Sequence, residues 1–119
     1  MPDFTHYHLD QLPEFLADGR AGLLAGRTLP ALGLCVEGEP RSFTYLLEAG
    51  DFRIEDGLAR ADLTVTLSAR DWRGLVADVE TVAGVLYGNR LLAHSGELMQ
   101  FVRWEPVLRA LYTGRPLYR

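Results

Sequence analysis

The hydrophobic pattern changes period at Ser68. Before it, apolar and polar residues alternate, at Leu32, Leu34 and Val36, at Phe43, Tyr45 and Leu47, at Phe52 and Ile54, and at Leu63, Val65 and Leu67. After it, Trp72, Leu75, Val76 and Val79 follow at i, i+3, i+4 and i+7. A period of two puts successive side chains on opposite faces of a strand, whereas a period near 3.6 draws one stripe along a helix. A chain holding both patterns lays helices on a sheet. Because each strand pattern has one apolar and one polar side, the helices are expected on one face only.

The punctuation between these segments agrees. Glu37-Gly38-Glu39-Pro40 and Asp56-Gly57 are turn words. Ser68 with Asp71 is a helix-capping pattern. Val82, Ala83 and Leu86 predict a second short helix closed by Gly88. Leu91 to Ser95 predicts a fifth strand. Its connection from Leu63–Leu67 through two helices predicts that these two strands run parallel. Leu98, Phe101 and Val102 then return at helical spacing, and Pro106 opens or kinks a last helix bearing Val107, Leu108 and Leu111. Upstream, Leu12, Phe15 and Leu16 predict a helix starting near Asp10, with Pro13 in its first turn. Residues 1–9 and 113–119 are expected as flexible tails of a single domain, 1–119.

At 119 residues, 48% hydrophobic and 24% charged, the composition is that of a globular domain able to bury its own core. All twelve basic residues are arginine, interleaved with sixteen acids for a net charge of −4. Without a basic stripe, nucleic acid is not the expected partner. No apolar run is long enough for a transmembrane segment. Met1–Leu12 carries His6, His8, Asp3 and Asp10 rather than the apolar core of a leader, and Cys35 is the single cysteine. The expected location is cytoplasmic.

Two stretches carry more specific words. Ala61-Asp62-Leu63-Thr64-Val65-Thr66-Leu67-Ser68-Ala69-Arg70-Asp71-Trp72 resembles the last antiparallel strand and following amphipathic helix of the sterol carrier protein 2 family. Leu86-Tyr87-Gly88-Asn89-Arg90-Leu91-Leu92-Ala93-His94-Ser95-Gly96-Glu97-Leu98 resembles that family's glycine-framed approach to its fifth strand, with Asn89-Arg90 in place of the usual lysine. The resemblance implies a sterol carrier protein 2-like α+β fold, a five-stranded mixed sheet with helices packed on one face. It also implies an apolar tunnel between them for a lipid, sterol or acyl chain, bordered by the C-terminal helix. It implies no cofactor, and such domains occur alone or as accessory modules of larger enzymes.

On that reading the ligand-binding residues are Trp72, Leu75, Val76, Val79, Leu86, Leu98, Met99, Phe101, Val102, Leu108 and Leu111. The same side chains can equally pack as a solid core. Trp72 and Trp104 need a partner for the indole N–H if buried, which places them at a cavity edge or the surface. Trp72 and Leu75 are expected to face the sheet, with Asp71 and Arg73 outside the stripe. Other chemistry is thin. His6 and His8 would share a face only in an extended chain and lack a third metal ligand nearby. His94 with Glu97 is the best available acid–base pair for a small enzyme acting on a hydrophobic substrate. Cys35 has no histidine motif beside it. Arg73, Arg90 and Arg103 are candidates for meeting an anionic head group. The expected function is non-catalytic binding of an apolar small molecule, without cofactor or metal. A docking or accessory role beside a partner enzyme and the small-enzyme reading are the alternatives.

Overall fold

All four alternating segments form strands, in a computed structural model that describes residues 3–24 and 26–116. They are β1 (Leu29–Val36), β2 (Phe43–Glu48), β3 (Asp51–Asp56) and β4 (Leu63–Leu67), joined by the short β5 (Ala93–Ser95). The sheet order is β3-β2-β1-β4-β5. Pairing is antiparallel except between β1 and β4, where Leu32 sits beside Leu63 and Val36 beside Leu67. The sheet is therefore mixed, with the one parallel pair formed by the central strand β1 and its neighbour β4. The expected parallel pairing of β4 with β5 is wrong: these strands are antiparallel, with Val65 opposite His94. The connection holds two helices, α3 (Ala69–Val76) and α4 (Val82–Tyr87). One helix carries a chain back to the start of its strand, and a second returns it to the end it left, which reverses the next strand.

The alternation fixes what each strand buries. Leu32, Leu34, Phe43, Tyr45, Leu63, Val65 and Leu67 point under the helices and are at most 2% exposed. At about 1.5–3 kcal/mol per large apolar side chain, this layer is the main source of stability. The other sheet face is not wholly solvated, contrary to the expectation. The β3–β4 connection folds across it, and a Cβ built on Gly33 would lie 2.7 Å from Leu58 Cδ2 and 2.9 Å from Ala61 Cβ. Thr44 is covered as well, its hydroxyl donating to the Gly57 carbonyl at 2.6 Å. Asp62 pins the same connection by accepting the Ala31 N–H at 2.8 Å.

Ser68 caps α3 as expected, accepting the Asp71 N–H at 3.1 Å. Trp72 and Leu75 face the sheet. Asp71 does not stay outside: it is 5% exposed, and Arg90, which also grips Glu80, compensates its charge at 3.1 Å. Gly88 ends α4 with an ordinary φ of −78°, and Asn89 takes the left-handed turn at 56°. The last helix, α5 (Met99–Thr113), runs unbroken through Pro106. The expected two pieces are one because Phe101, Trp104, Val107, Leu108, Leu111 and Tyr112 are all buried, enough apolar surface to hold the helix across one missing N–H.

The largest departure lies at the N-terminus. Residues 3–9, expected as part of a flexible tail, begin a helical segment that lies on the core. It comprises α1 (Phe4–His6), a π-helical turn (Tyr7–Gln11) and α2 (Leu12–Ala17). Asp3 caps it, accepting the His6 N–H at 3.0 Å. Pro13 sits in the first turn of α2, as expected, although helical turns precede that element. The chain takes the wider π spacing just before it, with the Leu12 N–H donating to the Tyr7 carbonyl. That spacing relieves the clash a proline ring makes in a straight α-helix. Gly19, at φ 111°, turns the chain into a 3-10 segment (Arg20–Leu24). There the Arg20 guanidinium donates to the Leu111 and Tyr112 carbonyls at 2.7 and 3.1 Å, clamping the N-terminal region to the end of α5. Of the C-terminal tail, Thr113 belongs to α5, and residues 117–119 lie outside the described residues.

Candidate functional site

The sequence-predicted lining residues divide into three groups. Trp72, Leu75, Phe101, Leu108 and Leu111 are buried together beneath α3 and α5. Val76, Leu86, Leu98 and Val102 are half-buried. Val79 and Met99 are 80% and 58% exposed and line no interior. The helical phase that placed Val79 on the stripe fails because α3 ends at Val76. Beside Leu75 and Leu108, where α3 and α4 meet α5, the space measures about 10 Å³, no more than one water.

An apolar groove of about 440 Å³ opens elsewhere, between the N-terminal helical segment and the β2–β3 edge of the sheet. Leu9, Pro13 and Leu16 form one wall, and Phe43, Phe52 and Ile54 the other. Arg53 and Asp56 stand at its rim, and His8 reaches it from below. Leu9, Pro13 and Leu16 recur at i, i+4 and i+7, so a helix read from Leu9 instead of Leu12 brings out this wall. The Phe52–Ile54 alternation supplies the other.

Beneath the groove lies a buried aromatic cluster with a polar thread. His8 is 2% exposed and stacks on Phe43 at 4.5 Å between centroids, almost parallel. Its Nδ1–H donates to the Phe4 carbonyl at 2.8 Å, because a carbonyl can only accept. Its Nε2 therefore accepts the Tyr45 hydroxyl at 2.6 Å, and Tyr45 accepts the Tyr112 hydroxyl at 2.7 Å. Burial pushes the His8 imidazole down to about 4, against the weaker pull of the Phe4 carbonyl, and so holds it neutral. Burial also raises Tyr7 and Tyr45 well above the ordinary phenol range and pushes Tyr112 up to about 12. Among the described residues, two buried donors, the Tyr7 hydroxyl and the Trp72 indole N–H, make no well-formed hydrogen bond. The Trp72 N–H still acts on the Tyr112 hydroxyl and moderates its rise. Trp104, expected at an edge, is wholly buried because its N–H donates to the Pro30 carbonyl at 2.8 Å.

The remaining candidates disperse. His6 is exposed and pairs with Asp10 at 2.8 Å, whereas His8 points inward, since alternate residues of a helix do not share a face. His94 and Glu97 are both exposed, outside any confined site. Cys35 is half-buried, and burial raises its thiol. Of the three arginines, Arg90 is committed to Asp71 and Glu80, and Arg103 bonds Gln100 at 3.0 Å. Among the described residues no cluster of His, Cys, Asp or Glu is arranged to hold a metal, and no helix is long and apolar enough to cross a membrane.

No family model matches the sequence, and no curated protein matches it significantly. Solved structures do match. Sterol carrier protein-2 like-3 from Aedes aegypti superposes with a TM-score of 0.63 at 21% identity, over 89% of this chain and 97% of that one. Sterol carrier protein 2 from Yarrowia lipolytica, in its apo form, gives 0.60 at 17%, over 87% and 88%. This chain has the sterol carrier protein 2 fold. The palmitated sterol carrier protein-2 like-2 from Aedes aegypti shares it, with a TM-score of 0.58 at 14% identity over 94% and 99% of the two chains. Within the sterol carrier protein 2 fold, this chain places its aromatic cluster and its open groove on opposite sides of one helical segment.

Proposed function

We propose that the protein binds, without catalysis, an apolar small molecule carrying a hydrocarbon chain, in the groove between the N-terminal helical segment and the β2–β3 edge. The observation that carries this reading is the groove itself: about 440 Å³, walled by Leu9, Pro13, Leu16, Phe43, Phe52 and Ile54, with charge only at the rim. The fold shared with sterol carrier protein 2 and with a palmitated relative supports the ligand class. Arg53 suits an anionic head group. None of the residues first expected to line the site walls this groove; Trp72, Leu75, Phe101, Leu108 and Leu111 pack in the core instead. Cytoplasmic action and transfer of the ligand to a partner enzyme belong to the same reading.

Burying about eight methylenes at ~0.8 kcal/mol each gives roughly 6 kcal/mol, a Kd on the order of tens of micromolar. A fluorescent fatty acid should therefore gain intensity on mixing with micromolar protein. Ile54→Asp or Leu16→Glu should weaken the signal about tenfold or more, and Arg103→Glu, on exposed α5 surface, should not. No response from acyl, sterol or isoprenoid probes at tens of micromolar would refute the reading.

A further inference from the structure

We propose that residues 3–17 are a displaceable occupant of a second chamber beneath the groove, which takes an apolar chain ending in a carbonyl-type hydrogen-bond acceptor. This deepens the apolar-ligand reading above and rests on it. The segment is the partition between the two spaces. One side of it, Leu9, Pro13 and Leu16, walls the groove, and the other sends Phe4, Tyr7 and His8 into the core. The rings it touches there stand on other elements: Phe43 on β2, Trp72 on α3 and Tyr112 on α5.

The fit of this built-in occupant is incomplete. It leaves the Tyr7 hydroxyl buried without a partner and gives the Trp72 N–H only the Tyr112 hydroxyl beside it and no well-formed hydrogen bond, although buried donors are nearly always satisfied. Its His8–Tyr45 bond is the side-chain hydrogen bond that holds it to the sheet. Its backbone ladder is weak, with a π turn at Tyr7–Gln11 and no N–H at Pro13. It also ends at a hinge: Gly19 has φ 111° with nothing within 4 Å of its Cβ position, and immediately beyond it Arg20 is clamped to α5. Residues 3–17 can therefore swing while the chain from Arg20 onward stays in place.

The chamber's chemistry selects the head group. With the segment gone, Tyr45 loses its acceptor, His8 Nε2, and the Trp72 N–H already lacks a well-formed hydrogen bond. Unmatched donors among aromatic rings fit an acceptor oxygen at the end of a hydrocarbon chain, either a carboxyl or an ester carbonyl. The apparent affinity is reduced by the fraction of molecules in which the segment is out.

Hydrogen exchange read by mass spectrometry on the full chain tests this, with palmitic acid, methyl palmitate and hexadecane as probes. Saturation with the acid or the ester should speed exchange of the 4–17 amides about tenfold or more while slowing β2. Binding of the acid alone would assign a carboxyl head, and binding of both a carbonyl. The double variant Tyr45→Phe, Tyr112→Phe also frees the segment, so it should weaken acid and ester about tenfold relative to hexadecane, whose own binding should hold or tighten. Binding with slower exchange across 4–17 would overturn the displacement and leave the groove reading standing. Equal weakening of all three probes would overturn the head-group assignment. Failure of all three to bind would overturn both this proposal and the carrier reading.

Discussion

Acidification from pH 7.5 to 4.5 should destabilise this protein through one residue, His8. In the unfolded chain a histidine titrates near 6.5, whereas in the folded core burial holds the His8 imidazole near 4. Between those values the unfolded state binds the extra proton, so stability rises with pH there and is lost on going down through the window. A separation of about 2.5 units at about 1.4 kcal/mol per unit sets a ceiling near 3 kcal/mol, most of it spent by pH 4.5. For a chain of this length that is on the order of 10 °C in Tm. The contributions of the half-buried carboxylates Glu55 and Glu80, both held below their ordinary range by arginine partners, fall mainly at lower pH. Urea unfolding of the wild type and His8→Phe at several pH values separates the effect. The variant starts about 1–3 kcal/mol lower, because it strands the Tyr45 hydroxyl, while the Phe4 carbonyl keeps the Tyr7 N–H. It should then lose much less on acidification, so the two curves converge toward pH 4.5. Parallel curves would refute a buried, neutral His8 and with it the hydrogen-bond thread to Tyr45 and Tyr112.

Two further perturbations test the frame. Pro106→Ala restores the N–H missing from the middle of α5 at an exposed position and should raise Tm by several degrees in a thermal melt; a lowered Tm would show that the proline ring is itself a packing element. Gly33→Val forces a side chain into the space held by Leu58 and Ala61 and should cost about 1–3 kcal/mol or more in denaturant titration, whereas an unchanged midpoint would mean that the connection does not rest on β1.

The strands and the α3 cap were legible because each depends on neighbours a few residues apart: the Leu63–Val65–Leu67 alternation and the Ser68–Asp71 spacing contain their own geometry. The candidate site was less legible because it is assembled from segments far apart. Nothing local announces that the polar word His6-Tyr7-His8 belongs to a helix, and the burial of His8 depends on a tyrosine of β2. The antiparallel β5 depended on how far two short helices carry the chain. Asp71 was misplaced for a similar reason: its burial becomes tolerable only when Arg90, beyond α4, folds back to it. The groove is half visible in the sequence: the Phe52–Ile54 alternation shows one wall, while starting the helix near Asp10 leaves Leu9 in the expected tail.

The Arg20 clamp also bears on the order in which this chain can fold. Its guanidinium reaches carbonyls 91 and 92 residues away, and Tyr45 bonds Tyr112 across 67. During synthesis the segment at residues 3–17 emerges well before α5, the helix that completes its binding surface. Closure over such sequence distances is slow, so folding belongs in the millisecond-to-second range rather than the microsecond range of local helix bundles. Until α5 leaves the ribosome, the apolar underside of the sheet has no cover. A nascent or truncated chain ending before Met99 would expose Leu34, Tyr45 and Val65 together, a surface suited to a chaperone.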